Sequence, residues 1–179
     1  MDIAIRRAEP GEYTALGEIT AQAYLGDGLL DFGESDEYLG ELRNVAKRAA
    51  AADVLVAVES AGTSKSSKSS GGRVLGGVTF VPSGGLMAEI SREGEAEIRM
   101  LAVSKEARGR GVGTSLVRAC IDRARTTEGC WGIVLSTQRT MHSAHRIYER
   151  LGFTRAPGRD WNPVPQLDDI MLLSYELTL

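Results

Sequence analysis

The clearest candidate for chemistry in this chain is a loop of glycine and arginine residues that precedes a helix-like segment. It is formed by Arg108, Gly109, Arg110, Gly111, Val112, Gly113 and Thr114. Glycines leave the backbone bare, and the first turn of a helix presents unpaired N–H groups with a partial positive charge. An anion docks readily at such a place, and guanidinium groups add fixed positive charge suited to phosphate oxygens. The pattern therefore predicts a site for a phosphorylated ligand, in particular a pyrophosphate.

Other phosphate-binding patterns fit this loop less well. A P-loop ends in Gly-Lys-Ser/Thr, whereas Gly113 is followed directly by Thr114, which argues against a nucleotide phosphotransferase. A dinucleotide-binding fingerprint reads G-x-G-x-x-G, but the glycines of this loop are evenly spaced. A tight turn into a helix, without any ligand, explains the glycines and leaves the flanking arginines unexplained.

A mixed sheet with helices on its faces is predicted to hold this loop. Helical spacing of apolar residues begins at Val112 and stops before Gly129, and a strand over residues 95–103 precedes the loop. Further strands are predicted at residues 3–8, 53–59, 73–81, 131–137, 153–156 and 170–179. Further helices are predicted at residues 10–24, 35–51 and 144–151, with Ser35 as the N-cap of the second. This order predicts an α/β (α+β) fold with about seven strands.

Length and composition predict a single soluble domain over residues 1–179, with 42% hydrophobic and 25% charged residues. The net charge of −3 argues against nucleic acid as the principal partner. The absence of a signal-peptide pattern and of a span of ~20 apolar residues predicts a cytoplasmic protein with no membrane partner. The two cysteines lack metal-ligand spacing, so no metal site is predicted. Residues 61–72, AGTSKSSKSSGG, are predicted to form a flexible loop within the domain.

Two motifs together resemble the GNAT superfamily of acyl-CoA N-acyltransferases. RMLAVSKEARGRGVGTSLV contains the family element [Q/R]-x-x-G-x-[G/A] at Arg108, Gly111 and Gly113. AHRIYERLGF, residues 144–153, is similar to the later helix of the family, with its A-x-x-x-Y and L-G-F. The resemblance implies the GNAT fold, a mostly antiparallel, twisted sheet with a V-shaped splay at the cofactor site. It also implies acetyl-CoA as co-substrate.

The resemblance assigns roles to particular residues. The pantetheine arm would pair with the backbone of Leu101, Ala102 and Val103, and the amides of residues 108–114 would hold the pyrophosphate. Tyr148 matches the tyrosine that often protonates the departing thiolate, although its place on an apolar stripe also suits a core residue. An asparagine common in the family is replaced by Met141, so its contact would be absent or supplied by other residues, such as Ser143 or Thr137.

The family often places a glutamate on the strand before the loop as general base, frequently acting through water. Glu97 matches this position best, with Glu95 on the same face in reserve and His142 as a third candidate. An exposed Glu97 paired with Arg99 is the alternative interpretation of the same residues.

The acceptor side is expected to come from the first helices and the final hairpin. Acidic and aromatic residues are concentrated at Tyr24, Asp27, Asp31, Phe32, Glu34, Asp36 and Glu37. They would form either a rim that attracts a cationic amine or a solvated loop with a capped helix. Residues 157–166, PGRDWNPVPQ, hold Trp161 among three prolines and would wall an acceptor pocket or serve a homodimer contact.

The expected function is direct transfer of an acetyl group from acetyl-CoA to a primary amine, without a metal or a covalent enzyme intermediate. A small-molecule acceptor is favoured. The alternatives are acetylation of a protein N-terminus or lysine, and a non-catalytic acyl-CoA sensor that keeps the binding loop without the chemistry.

Overall fold

A mixed α/β fold is present in the computed structural model, which describes residues 2–60 and 72–179. The predicted flexible loop lies outside these residues except for Gly72. Within the described ranges the strands are β1 (Ile3–Arg7), β2 (Asp53–Glu59), β3 (Arg73–Val81), β4 (Glu95–Val103), β5 (Gly132–Gln138), β6 (Thr154–Arg155) and β7 (Leu172–Thr178). The helices are α1 (Tyr13–Gly26), α2 (Tyr38–Arg43), α3 (Val45–Ala51), α4 (Val112–Arg125) and α5 (His142–Arg150).

The described strands form one seven-stranded sheet in the order β1-β2-β3-β4-β5-β7-β6. β1 and β2, β5 and β7, and β6 and β7 pair antiparallel, whereas β4 and β5 pair parallel. The β4–β5 register runs from Glu95 opposite Gly132 to Ile98 opposite Leu135, so residues 99–103 of β4 lie beyond it. The predicted α/β class with about seven strands is confirmed.

The chain divides into two compact units, residues 1–79 with 100–116 and residues 80–99 with 117–179. The single domain predicted for residues 1–179 stays a prediction. In the first unit, apolar side chains of α1, α3 and β2 form a core around Leu16, Val45 and Val56. A second cluster joins Met100 to α1 and α2 through Ala21 and Leu42.

The second unit is built around β5, whose residues Ile133, Val134 and Leu135 are buried between β4 and β7. α4 places Val117, Cys120 and Ala124 in the buried interior, as its helical spacing predicts. None of the helices in residues 2–60 and 72–179 is long and apolar enough to cross a membrane.

The single helix predicted over residues 35–51 is wrong. The structure has a 3-10 turn at Gly33–Ser35 and then α2 and α3, with Asn44 between them at φ −84° and ψ 69°. Asn44 caps α3, because its side chain accepts a hydrogen bond from the Lys47 N–H at 3.1 Å. The helix break coincides with a close approach of α1, since a Cβ built at Gly17 would lie 2.4 Å from the Arg43 carbonyl oxygen. Ser35 ends the 3-10 turn and is not an N-cap.

Candidate active site

The glycine-arginine loop has the geometry of an anion-binding turn. Gly109 and Gly111 adopt φ values of 77° and 80°, a left-handed conformation that favours glycine. A Cβ at either position would meet nothing within 4 Å, so the space beside this backbone is open. α4 begins directly afterwards at Val112, and the Ser115 N–H already bonds the Gly111 carbonyl at 3.0 Å. The N–H groups of residues 112–114, in the first turn of α4, point out of the N-terminal end of this helix.

The arginine side chains of this loop are bound to carboxylates. Arg108 donates two hydrogen bonds to Asp27, at 2.9 and 3.0 Å, and both side chains are a little under half exposed. Arg110 donates to Glu59 Oε1 at 2.9 Å in a less exposed pair. The sequence predicts that both guanidinium groups are available to a phosphate. In the structure a phosphate would have to share each guanidinium with its carboxylate partner or displace that partner.

The end of β4 beside this loop contains a strained residue and an unpaired polar atom. Met100 has a φ of 54°, a left-handed conformation that costs a non-glycine residue about 1–3 kcal/mol and often marks a functional site. The Ser104 N–H bonds the Leu75 carbonyl at 2.8 Å. Its hydroxyl oxygen is buried and has no hydrogen-bond partner among the described residues. Ser104 is therefore a candidate contact for a ligand along this strand, and no sequence signal distinguished it.

These features fit the diphosphate and pantetheine of coenzyme A. The loop supplies bare backbone and helix N–H groups for a diphosphate. The orphaned Ser104 hydroxyl can bond a polar group on an arm that follows β4. The predicted cofactor residues Leu101, Ala102, Val103 and 108–114 all belong to the first compact unit, and Ser143 and Tyr148 belong to the second.

Tyr148 lies in α5 and is 3% exposed. Its ring centroid is 5.8 Å from those of both Phe153 and Tyr175. Burial raises the pKa of its hydroxyl, with smaller contributions from Cys120 and Tyr175. The hydroxyl therefore keeps its proton at neutral pH, as a proton donor must. The aromatic packing also matches the core role that the sequence left open.

The start of α5 shows what replaces the missing asparagine of the family motif. Met141 occupies the N-cap position, and its sulfur accepts a hydrogen bond from the Thr137 hydroxyl at 3.6 Å. Ser143 is exposed in the first turn. His142 is also exposed, and its ring lies 5.8 Å from that of His145.

Glu97 is only 1% exposed, which differs from the exposed Glu97–Arg99 pair considered from the sequence. Its Oε2 accepts three backbone N–H bonds, from Glu89 at 2.8 Å and from Ile90 and Ser91 at 3.1 Å. Arg99 pairs with Glu89 instead, at 2.6 Å. Glu97 therefore fixes the segment between β3 and β4, and its carboxylate is not presented to solvent.

Glu95, the reserve candidate for the base, is buried in a second ion pair. Arg159 donates to both of its carboxylate oxygens, at 2.9 and 2.8 Å, and to the Ile90 carbonyl at 2.7 Å. Burial favours the neutral acid, but the hydrogen bonds from Arg159 and the Arg92 N–H outweigh it, so the pKa of the Glu95 carboxyl lies below its ordinary value. This pair joins the turn at Pro157–Arg159 to the β3–β4 segment.

On the acceptor side, several of the acidic residues have structural partners. Asp27 holds Arg108, and Asp36 accepts the Tyr38 N–H at 3.0 Å at the start of α2. The Tyr24 and Tyr38 rings meet edge to face at 6.3 Å. Phe32, which lies between these two tyrosines in the sequence, is 64% exposed. These contacts are compatible with both expectations for this segment, a rim that attracts a cationic amine and a solvated loop with a capped helix.

The proline-rich stretch of residues 157–166 is fixed to the sheet of the second unit. The Trp161 indole donates to the Ser136 hydroxyl at 2.8 Å, and Trp161 exchanges backbone hydrogen bonds with Leu172. Arg155, just before this stretch, and Asp160 within it form an ion pair with two hydrogen bonds, at 2.9 and 2.8 Å. The stretch is suited to serve as a rigid wall.

Fold and site together define an α/β protein with an anion-binding turn at the head of a central helix. The family model described as the acetyltransferase (GNAT) family matches residues 37–153. The chain belongs to this family, and the resemblance stated from its motifs is confirmed.

Individual relatives cover smaller parts of the chain. N-alpha-acetyltransferase 30 of Schizosaccharomyces pombe is 45% identical over 58 residues, which are 32% of this chain and 38% of that protein. N-acetylaspartate synthetase of Danio rerio is 32% identical over 93 residues, covering 46% of this chain and 33% of that protein. The chain thus matches well under half the length of these curated relatives.

A solved structure shares the fold over almost the whole chain. It is yncA from Salmonella typhimurium, solved with its cofactor acetyl-CoA, with a TM-score of 0.67 and 20% sequence identity. The superposition covers 100% of this chain and 95% of that one.

Proposed function

We propose that this protein transfers the acetyl group of acetyl-CoA directly to a primary amine of a small-molecule acceptor. The observation that carries the proposal is the turn at Gly109 and Gly111. Its left-handed, unobstructed backbone leads straight into the N-terminus of α4. Membership of the acetyltransferase family and the likeness to a structure solved with acetyl-CoA support the same ligand.

The binding role falls to the first compact unit. Backbone N–H groups of residues 108–114 would hold the diphosphate, with Arg108 and Arg110 adding charge where their carboxylate partners allow it. The pantetheine arm would run along Leu101, Ala102 and Val103, within reach of the Ser104 hydroxyl. A main-chain N–H near Val103 would stabilise the oxyanion that forms at the thioester carbonyl.

The proton for the leaving thiolate is assigned to Tyr148. The amine nitrogen bonds to the thioester carbon and loses one proton to a base, the carbon–sulfur bond breaks, and the sulfur takes the phenol proton. Burial raises the pKa of the Tyr148 hydroxyl, so the phenol is protonated at neutral pH and its proton is present when the thiolate forms. Ser143 in the first turn of α5 is a further cofactor contact in this proposal.

The names of the relatives point to acceptors of the amino-acid type. The zebrafish relative is named for acetylation of aspartate, and the fission yeast relative for acetylation of α-amino groups. A small amino compound is the favoured acceptor, and a peptide N-terminus is the second candidate because of the fission yeast match. An amino acid and a peptide N-terminus both carry the primary amine on a carbon that is bonded to a carboxyl or carbonyl carbon.

Two measurements on this chain test the proposal. Calorimetry should show saturable binding of coenzyme A, and binding should weaken for the dephosphorylated pantetheine fragment because the diphosphate contacts are lost. Thiol release from acetyl-CoA should then be followed across amino acids, polyamines and short peptides. Absence of coenzyme A binding would remove the proposal, while binding without transfer to any amine would favour the non-catalytic sensor.

A further inference from the structure

Glu89, which no sequence signal indicated as a functional residue, is held both at its backbone N–H and at its carboxylate. The Glu89 backbone N–H bonds Glu97 Oε2 at 2.8 Å, and the Glu89 carboxylate meets the Arg99 guanidinium at 2.6 Å. Arg99 also donates to the Met87 carbonyl at 2.9 Å, which fixes the direction of its own side chain. Two β4 residues thus determine both the backbone and the side-chain position of Glu89.

Glu89 differs from its neighbouring acids in accessibility. Its side chain is 35% exposed, whereas Glu97 is 1% exposed and Glu95 is 2% exposed. Burial raises the pKa of the Glu89 carboxyl, the Arg99 guanidinium opposes this rise, and the Glu97 carboxylate adds to it. Glu89 is therefore the acid in this group that a substrate can reach and whose environment favours accepting a proton.

The chain connects Glu89 to the predicted cofactor strand. Arg99 lies in β4 two positions before Leu101, where the pantetheine arm is expected to begin its pairing. The strained Met100 lies between them. An acid that is anchored on Arg99 is therefore attached to the same strand that would carry the thioester.

We propose that Glu89 is the proton acceptor for the amine, positioned by Glu97 and Arg99. This inference rests on the proposed acetyltransferase function and replaces the expected role of Glu97 as the base. When the amine nitrogen bonds to the thioester carbon it becomes positively charged, and one N–H proton passes to the Glu89 carboxylate. The carbon–sulfur bond then breaks, and the thiolate takes the Tyr148 proton. Glu89 afterwards releases its proton to solvent, and Tyr148 regains one from solvent, so the net products are an amide and a thiol.

The pH dependence of kcat/KM in single-residue variants tests this assignment. In the wild type, kcat/KM should fall at low pH as the Glu89 carboxylate becomes protonated. This fall is the acidic limb of the profile. Glu89→Gln should lose this limb and fall by about 100-fold or more at neutral pH, the range expected when a general base is removed. Glu89→Asp keeps a carboxylate and should keep the limb at a reduced rate. Coenzyme A affinity should be unchanged in both variants, because Glu89 makes no proposed cofactor contact.

Two further variants separate proton transfer from positioning. Glu97→Gln should lower thermal stability and kcat but retain the acidic limb. Asp122→Asn removes a surface carboxylate of α4 that is paired with Arg125, and should leave the profile unchanged. An acidic limb that disappears in Glu97→Gln and persists in Glu89→Gln would overturn the assignment and return the base to Glu97.

The same experiments distinguish failure of this inference from failure of the proposed function. Wild-type protein that binds coenzyme A and acetylates an amine, with Glu89→Gln equally active, refutes only the role of Glu89. Wild-type protein that acetylates none of the amines tested refutes the proposed function and the role of Glu89 together.

Discussion

Replacing Arg159 by methionine should destabilise the second compact unit strongly. The variant keeps the apolar stem and removes the guanidinium, which is 9% exposed and makes two hydrogen bonds to a Glu95 side chain that is 3% exposed. Breaking a buried pair from one side leaves an uncompensated charge and costs about 3–5 kcal/mol. At about 2–4 °C per kcal/mol for a chain of this size, the Tm should fall by about 6–20 °C.

The pH dependence of this loss follows from the pKa of Glu95. In the wild type the folded-state pKa is depressed, so the stabilisation is present above the unfolded-state pKa and is lost as pH falls through the folded-state pKa. In Arg159→Met burial persists without the Arg159 hydrogen bonds, and only the Arg92 N–H bond still opposes it, so the folded-state pKa of Glu95 should rise. Protonation then relieves the buried charge, and the stability gap should be largest near neutral pH and shrink toward about pH 4.

Chemical denaturation of the wild type, Arg159→Met, Glu95→Gln and the double variant provides the assay. Glu95→Gln should recover part of the loss in the double variant, because the unpaired carboxylate is no longer present. A loss below about 1 kcal/mol at neutral pH, or additive effects of the two changes, would refute the reasoning and place this pair with ordinary surface ion pairs.

The remaining predictions concern the cofactor. Gly111→Ala should weaken coenzyme A binding by about tenfold in calorimetry, or about 1.4 kcal/mol, because the residue is left-handed and lies in the proposed cradle. Gly11→Ala, at an open position with ordinary φ, should leave affinity unchanged. Asp27→Asn should tighten binding by up to about fivefold, since it frees Arg108 from an exposed pair worth about 0–1 kcal/mol, and weaker binding would contradict this. Tyr148→Phe should lose turnover while keeping coenzyme A affinity, and normal turnover would exclude its role as the acid.

Much of the sheet could be predicted from local sequence because its signals are local. The predicted bounds of β2, β3 and β4 agree with the structure at residues 53–59, 73–81 and 95–103. β-Branched residues specify β2 and β3, the alternation of side chains specifies β4, and the glycine-rich turn before Val112 marks the start of α4. The break at Asn44 could not be predicted in the same way. The apolar spacing continues across it, and the close approach of Gly17 to Arg43 is a tertiary contact.

The candidate site was predictable in its backbone and less so in its side-chain partners. Gly109 and Gly111 supply a signal that sequence shows directly, since left-handed turns favour glycine. The partners of Arg108 and Arg110 lie 81 and 51 positions away, at Asp27 and Glu59, and no local pattern connects them. The positive charge that the sequence predicts to be available for a ligand is therefore partly neutralised by carboxylates of the protein itself.

The two glutamates of β4 show that residue type and strand position do not reveal whether a carboxylate is buried. Glu97 occupies the position that the family resemblance favours, but the β3–β4 segment folds over it and directs three N–H groups at one oxygen. A carboxylate used in this way holds a loop, and its burial separates it from an amine in solution. The residue whose N–H it holds, Glu89, carries the exposed carboxylate. We therefore assign the proton-accepting role to Glu89 in the segment between β3 and β4, and not to a glutamate of β4 itself. Loss of the acidic limb in Glu89→Gln would support this assignment, and its persistence would refute it.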